Sequence, residues 1–369
     1  MAGSDALSSN RSGAMAAGME QLPAQQNLFG ESLEELPVVR AALPTEEVVR
    51  TAARMPKNLH FGTSSWTFPG WAGIVYHDVY AASALARYGL HAYAKHPLLS
   101  MVSLDSTFYR PAPVEQLARY AAQVPDHFRF LVKAYSGLTT APESTRGSGT
   151  GESVFLDPDF ATRAVIRPLV EGLGSKLAVV LFQFSPLGAV HTRAPGSFAR
   201  RLEAFLGALP VGPQYAVELR DAQILGSQYE RALEATGAVH CRSVHSRMPP
   251  VDEQVTDSGK GPLIIRWMLR PGDDYESAGA RYAPFHRLVQ PDELSRSRIA
   301  GMVRPWLVPG LSGALSAERD MHIVAANNAE GSAPATLLEL AKVLAFRDLN
   351  SVEPFRVSGS GRGGAPRDC

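Results

Sequence analysis

The chain of 369 residues is poor in cysteine, having only Cys241 in an apolar run and Cys369 at the last position, with no CxxC pair. That scarcity speaks against a disulfide framework and against a structural zinc site of the usual cysteine spacing. Net charge is also missing, with 36 Lys and Arg against 36 Asp and Glu. No global field therefore draws the chain to nucleic acid or an anionic membrane, although a local basic cluster stays open. No apolar run reaches the roughly 18 residues that cross a bilayer. The stretch Ala14 to Met19 is too short and glycine-interrupted to be the apolar region of a signal peptide. Rossmann and Walker glycine patterns are lacking, which argues against a dinucleotide or nucleoside triphosphate cofactor, and no GxSxG elbow follows a strand. These absences together predict a soluble cytoplasmic protein with no cofactor and no membrane partner.

What is present is ordinary globular composition, 45% hydrophobic and 20% charged. Residues 1–55, rich in Ala, Ser, Gln, Glu and Pro, read as a mostly disordered leader with a short helix over Thr45 to Arg54, and residues 357–369 as a flexible Gly-rich tail. The body, residues 56–356, holds eight short apolar runs. They are 59–63, 101–105, 128–133, 177–183, 214–220, 239–245, 263–268 and 322–327. Helix patterns separate most of them. Pro113 to Gln123 has helical spacing, Asp157-Pro158 is a cap pair opening a helix through Val170, and Phe198, Leu202, Phe205 and Leu209 repeat every three to four residues. Asp292 to Leu307 and Ala335 to Arg347 read likewise. Eight alternations of strand and helix predict a parallel (β/α)8 barrel of the TIM type, irregular between strands six and seven, where Ser246 to Gly261 shows no helix. Thr139 to Val154 reads as a long loop.

Because side chains alternate across a strand, parity sorts the polar residues. Ser103, Asp105 and Thr107 on the second strand, Lys133 on the third and Gln183 on the fourth point into the barrel. So do Glu218 and Arg220 on the fifth, Arg266 on the seventh and Asn327 on the eighth. Val102, Leu104, Ser106 and Phe108 point outward. Glu218 and Arg220, two apart on one face, are equally readable as a buried structural ion pair. So many inward polar groups at strand ends favour a ligand pocket, since each left unpaired in a core would cost about 1–3 kcal/mol.

Five motifs occur in order: Phe61 to Trp71 (FGTSSWTFPGW), Asp105 to Arg110 (DSTFYR), Phe128 to Lys133 (FRFLVK), Ala216 to Arg220 (AVELR), and Asn327 to Gly331 (NNAEG) with Ala333-Pro334. In this the chain resembles the YecE-like family, known as domain of unknown function 72. The resemblance implies a TIM-type barrel of bacterial and archaeal distribution with no established reaction. The family's pattern carries Glu where this chain has Asp105, which shortens that side chain by one methylene.

Chemistry follows from residue type. Asp105 and Glu218 are the candidate catalytic acid and base. A barrel glycosidase is disfavoured, because strands four and seven end in Gln183 and Arg266 rather than in acids. Metal chemistry needs convergent imidazoles, and only His245 stands at a suitable strand end, so no metal is expected. Lys133, Arg220 and Arg266 among Gln183, Asn327 and Asn328 suit a carboxylate or phosphate. Ser332 either caps the last helix or joins an anion site at its start. Trp66, Thr107 and Tyr109 complete the expected binding set. The leading expectation is a small anionic or phosphorylated metabolite handled by acid/base chemistry of hydrolase, lyase or isomerase type. The alternative is a single-stranded nucleic-acid module stacking bases on Trp66, Phe68, Trp71, Phe108 and Tyr109.

Overall fold

The computed structural model describes residues 38–142, 153–256, 258–307 and 319–345. The expected leader up to residue 37, positions 143–152 of the Thr139 to Val154 loop, and the tail 357–369 lie outside the described residues. Eight parallel strands close into a barrel in chain order. They are β1 (Leu59–Thr63), β2 (Leu99–Leu104), β3 (Arg129–Lys133), β4 (Leu177–Gln183), β5 (Tyr215–Glu218), β6 (Val239–Val244), β7 (Leu263–Trp267) and β8 (Met321–Ala325). Every apolar run read from the sequence coincides with one strand to within two residues at each end.

These runs form strands because both of their faces are buried, which parallel barrel strands require. In β4, Val180 and Phe182 pack outward, and Phe182 meets Phe205 edge-on at 5.1 Å from the helix Pro195–Gly207. Val179 and Leu181 of the same strand fill the lumen with Met101, Leu131, Ala216 and Ile264. The barrel is thus a packed core, and truncating a lumen residue such as Leu181 to Ala would cost about 2–5 kcal/mol. Glycine is required at position 62, where a methyl group would lie 2.5 Å from the Met101 carbonyl oxygen on β2. At the amino-terminal end His60 and His322 stack at 5.3 Å and close the base.

Two features depart from expectation, the irregular stretch expected between β6 and β7 is present, and all three have physical causes. Residues 38–55 carry more structure than a disordered leader: Val39 is fully buried, Thr45 caps the helix Glu46–Ala52, and Glu47 pairs at 3.1 Å with Lys342 of the helix Ala333–Ala345. The helix opened by Asp157 runs beyond Val170 to Leu173 but passes through a π-helical stretch, Ala161–Ile166. Pro168 follows it and has no N–H to give to an ordinary helical bond. Between β6 and β7 the missing helix is replaced by irregular chain, which Gln254 pins in place. Its amide donates to the Ser243 and Pro249 carbonyls at 2.7 and 3.0 Å, and its oxygen accepts from the Ser243 amide at 3.0 Å. Among the described residues no helix is long and apolar enough to cross a membrane.

Candidate functional site

The lumen parity set by the strands runs out at their carboxyl ends, where the inward positions turn from apolar to charged. Met101 is followed by Ser103 and Asp105, Leu131 by Lys133, Ala216 by Glu218 and Arg220, and Ile264 by Arg266. Above them opens a cavity of about 630 Å³. Asp105, Tyr109, Lys133, Gln183, Arg220 and Arg266 line it together with Asn328. A cleft of about 870 Å³ lies between Arg242 and the outer-helix residues Met302 and Trp306, but that guanidinium donates to the Val251 and Val255 carbonyls and none of the inward charged residues lines the cleft. Ligands of parallel barrels bind at the carboxyl ends, so the 630 Å³ cavity is the candidate site.

Arg266 organises its floor. The guanidinium is 1% exposed and forks between two carboxylates, donating through Nη1 to Glu218 Oε2 at 2.6 Å and through Nη2 to Asp105 Oδ2 at 2.8 Å. Arg220 pairs with the other oxygen of Glu218, and Ser103 donates to Asp105 Oδ1 at 2.5 Å. Burial pushes Glu218 toward protonation, but Arg220 and Arg266 together outweigh it and hold the carboxyl at about 2. Two guanidinium groups thus favour the ionised form of Glu218, which in turn positions both arginines beneath the cavity. Asp105 differs in being 29% exposed toward the cavity.

Lys133 stands apart from this network. Its Nζ lies 3.8 Å from the centre of the Phe108 ring and, among the described residues, makes no ion pair or hydrogen bond. Burial lowers its ammonium to about 8; Asp105 opposes that shift and Arg266 adds to it. Also lining the cavity, the His245 ring packs at a tilt against Tyr275, their centres 5.7 Å apart. Burial, assisted by Arg220, lowers His245 to about 4, so its ring is neutral at neutral pH. Its Nδ1 accepts from the Arg247 amide at 3.1 Å, which leaves the proton on Nε2 as a donor. With Lys133 protonated, the inner wall carries three cations against two carboxylates, an arrangement suited to an anion.

Family membership follows from comparison over most of this barrel. The model of the family described as protein of unknown function DUF72 matches residues 60–356. The chain belongs to that family. This DUF72 member is 34% identical over 119 residues to the UPF0759 protein YunF of Bacillus subtilis, an overlap covering 32% of this chain and 38% of that protein. The matched stretch thus spans well under half of the curated relative. Two solved DUF72 family structures show the same fold. The one from Thermotoga maritima is 18% identical with a TM-score of 0.51, covering 78% of this chain and 98% of that one. The one from Enterococcus faecalis is 18% identical with a TM-score of 0.50, covering 78% and 95%.

Within this DUF72 barrel the sequence-predicted residues divide. Asp105, Tyr109, Lys133, Gln183, Arg220, Arg266 and Asn328 reach the cavity, and Glu218 lies just beneath it. Asn327 does not: its Oδ1 accepts from Trp71 Nε1 at 3.2 Å and from the Ala333 amide at 2.8 Å, so it caps the last helix and anchors a core tryptophan. Strand β8 ends at Ala325, with Val324 and Ala326 facing the lumen, which gives the next inward position to Asn328. Ser332 is wholly buried, and the cap comes from Asn327, so no open anion site exists at that helix start. Thr107 is likewise structural. Its hydroxyl lies 2.6 Å from both the Leu104 and Lys133 carbonyls, tying the end of β2 to that of β3. Trp66 is 5% exposed and donates to the Leu85 carbonyl at 2.9 Å, inside the core.

Phe108 corrects the parity reading in the other direction. A 3-10 turn over Ser106–Phe108 breaks the alternation after Leu104, and the ring swings beneath Lys133 instead of outward. His245, Arg247 and Tyr275 escaped the sequence reading as site members. A signal for Tyr275 was available in Asp274-Tyr-Glu-Ser277, a capping pattern whose Asp274 accepts from the Ser277 amide at 2.9 Å and opens the helix Tyr275–Tyr282 over the cavity. Among the described residues no three His, Cys, Asp or Glu side chains converge as a metal cage.

Proposed function

We propose that the barrel mouth binds a small anionic or phosphorylated metabolite and performs proton transfer on it, with Lys133 and Asp105 as the exchanging pair. The observation that carries this reading is the Lys133 ammonium, enclosed, unpaired, and facing a cavity lined by Arg220 and Asn328. Arg220 and Asn328 supply donors for a carboxylate or phosphate, while Arg266, held by two carboxylates, orients Asp105. A lysine titrating near 8 and a partly exposed carboxylate on adjacent strands supply an acid and a base within one pocket. Hydrolase, lyase and isomerase chemistry all use such a pair. The nucleic-acid reading loses Trp66 and Trp71, which are sealed in the core, and retains the exposed Tyr109, so the anion pocket is the reading the geometry favours.

The reading is tested by thermal shift with a panel of phosphorylated and carboxylate metabolites against the wild-type protein and Lys133→Met, which keeps an unbranched stem over Phe108. A ligand at about a hundred times its Kd stabilises by about 2.7 kcal/mol, an easily measured shift. Hits in the wild type that vanish in the variant are expected. Hits that persist unchanged, or a panel without hits, would sink the proposal.

A further inference from the structure

The six lysines of this chain occupy three kinds of surroundings. Lys57 and Lys95 are solvent-exposed. Lys176, Lys260 and Lys342 each pair with a carboxylate, those of Asp126, Glu234 and Glu339. Lys133 alone is enclosed without a carboxylate partner, because the two acids near enough to neutralise it are both engaged by Arg266. An amine so placed, packed on an aromatic ring and backed by guanidinium groups, is what nucleophilic catalysis by lysine requires.

Resting on the reading of the mouth as an anion pocket, we infer that Lys133 is a nucleophile that forms an imine with a small anionic aldehyde or ketone, an oxo-acid or a phosphorylated carbonyl compound. The Nζ lone pair attacks the carbonyl carbon and forms the C–N bond. The carbonyl oxygen takes up a proton to give a carbinolamine. Loss of that oxygen as water, with departure of the remaining nitrogen proton, completes the C=N bond, so no oxidant or reductant is needed. Proton donors line the same cavity in Tyr275 and in the Nε2–H of His245, and Arg220 and Asn328 line it as partners for the substrate's anionic group. The Thr107 hydroxyl, bridging the Leu104 and Lys133 carbonyls, fixes the backbone from which the amine projects. Titration near 8 leaves about one Lys133 in ten neutral at pH 7, against a few in ten thousand for an ordinary lysine.

The experiment is borohydride trapping of the full-length protein at pH 7 with glyoxylate, pyruvate and dihydroxyacetone phosphate, followed by intact-mass measurement and peptide mapping. Acetate serves as an anion without a reactive carbonyl, and acetone as a carbonyl without an anion. At least one anionic carbonyl should yield a single adduct, heavier by the probe less one oxygen atom, mapping to Lys133. Labelling there should exceed that of every other lysine by about tenfold, the higher neutral fraction being partly offset by lower intrinsic nucleophilicity. Lys133→Arg should abolish the adduct yet keep anion-induced stabilisation, which separates the nucleophile from the anion site. Mapping in the wild type stands even if a variant folds poorly. Absence of a Lys133 adduct from all three probes, or labelling spread evenly over the six lysines, overturns the inference. If anions still stabilise the protein in that case, the pocket reading survives without it.

Discussion

Two buried arginines in this barrel sit in the same kind of fork and do opposite things. Arg296 donates to Glu330 Oε1 at 2.6 Å and to Glu293 at 2.8 Å, in the layer between the helix Glu293–Leu307 and the chain after β8. Glu330 also accepts the Asp292 amide at 2.5 Å, so the cluster closes its charge on backbone donors and braces a loop. Arg266 forks between Glu218 and Asp105 but stands at the mouth of the lumen, where Arg220 and Lys133 add two further cations. The first cluster has more carboxylates than cations and, among the described residues, lines none of the cavities above. The second has more cations than carboxylates and faces 630 Å³ of open volume. Charge left over, and a space for what would balance it, separate a site from a brace.

The largest effect expected from this contrast is on stability. Removing the sealed partner of either arginine strips a buried guanidinium of its buried counter-charge and leaves only the more exposed carboxylate, a change of about 3–5 kcal/mol. Glu330→Gln and Glu218→Gln should both fall in that range by urea denaturation, and only Glu218→Gln should alter the response to added anions. An anion response altered in Glu330→Gln would dissolve the distinction between the clusters.

Acid should act next. Glu218 is held at about 2 against an ordinary 4.5, so its contribution is complete above 4.5 and lost as pH falls toward 2. Burial lowers His322 to about 3 and His240 to about 4, so each stays neutral in the fold and favours folding above 6.5, a contribution that disappears as the pH drops through those values. Stability measured against pH should thus decline from 6.5 downward, with a shallower slope below 4.5 in Glu218→Gln. An identical slope in that variant would mean the Glu218 pairing contributes nothing.

A subtler test uses Asp105→Asn. Losing this carboxylate adds one positive charge to the cavity but also removes the group that favours protonated Lys133. Anion affinity by calorimetry should rise about tenfold well below pH 8, where Lys133 stays charged, and change little above it. A uniform change across pH would detach Lys133 from the site.

The smallest expected effect distinguishes neighbours. Asn327→Ala should cost about 1–2 kcal/mol through the lost cap and the Trp71 bond while leaving ligand response intact, and Asn328→Ala should do the reverse. Swapped outcomes would reassign the cavity wall.

Strand positions and inward parity were legible in the sequence because a barrel strand buried on both faces leaves a continuous apolar run that stops where the lumen opens. Asp105, Lys133, Gln183, Arg220 and Arg266 reach the cavity by that logic. Parity fails where the strand does. It overreached by two residues past Ala325, misplacing Asn327, and past Leu104 a 3-10 turn reversed Phe108 and buried Thr107. Convergence of Asp105 and Glu218 on one guanidinium was not legible, since strand order alone sets β2 and β5 apart and only a long side chain crossing the lumen from β7 joins them. Arg247 comes from the chain after β6 and Tyr275 from the first turn of a helix, and no strand periodicity fixes where either lands.

That crossing has a meaning for assembly of the chain. Asp105 and Arg266 are 161 residues apart in sequence, at the ends of β2 and β7, which never pair, so their bond spans the lumen and joins the two sides of the closed ring. Such a long-range contact requires distant parts of the chain to be assembled together. The cavity is accordingly absent from any partly folded form that lacks one sector of the barrel, and a ligand that binds there stabilises the finished ring rather than any fragment of it.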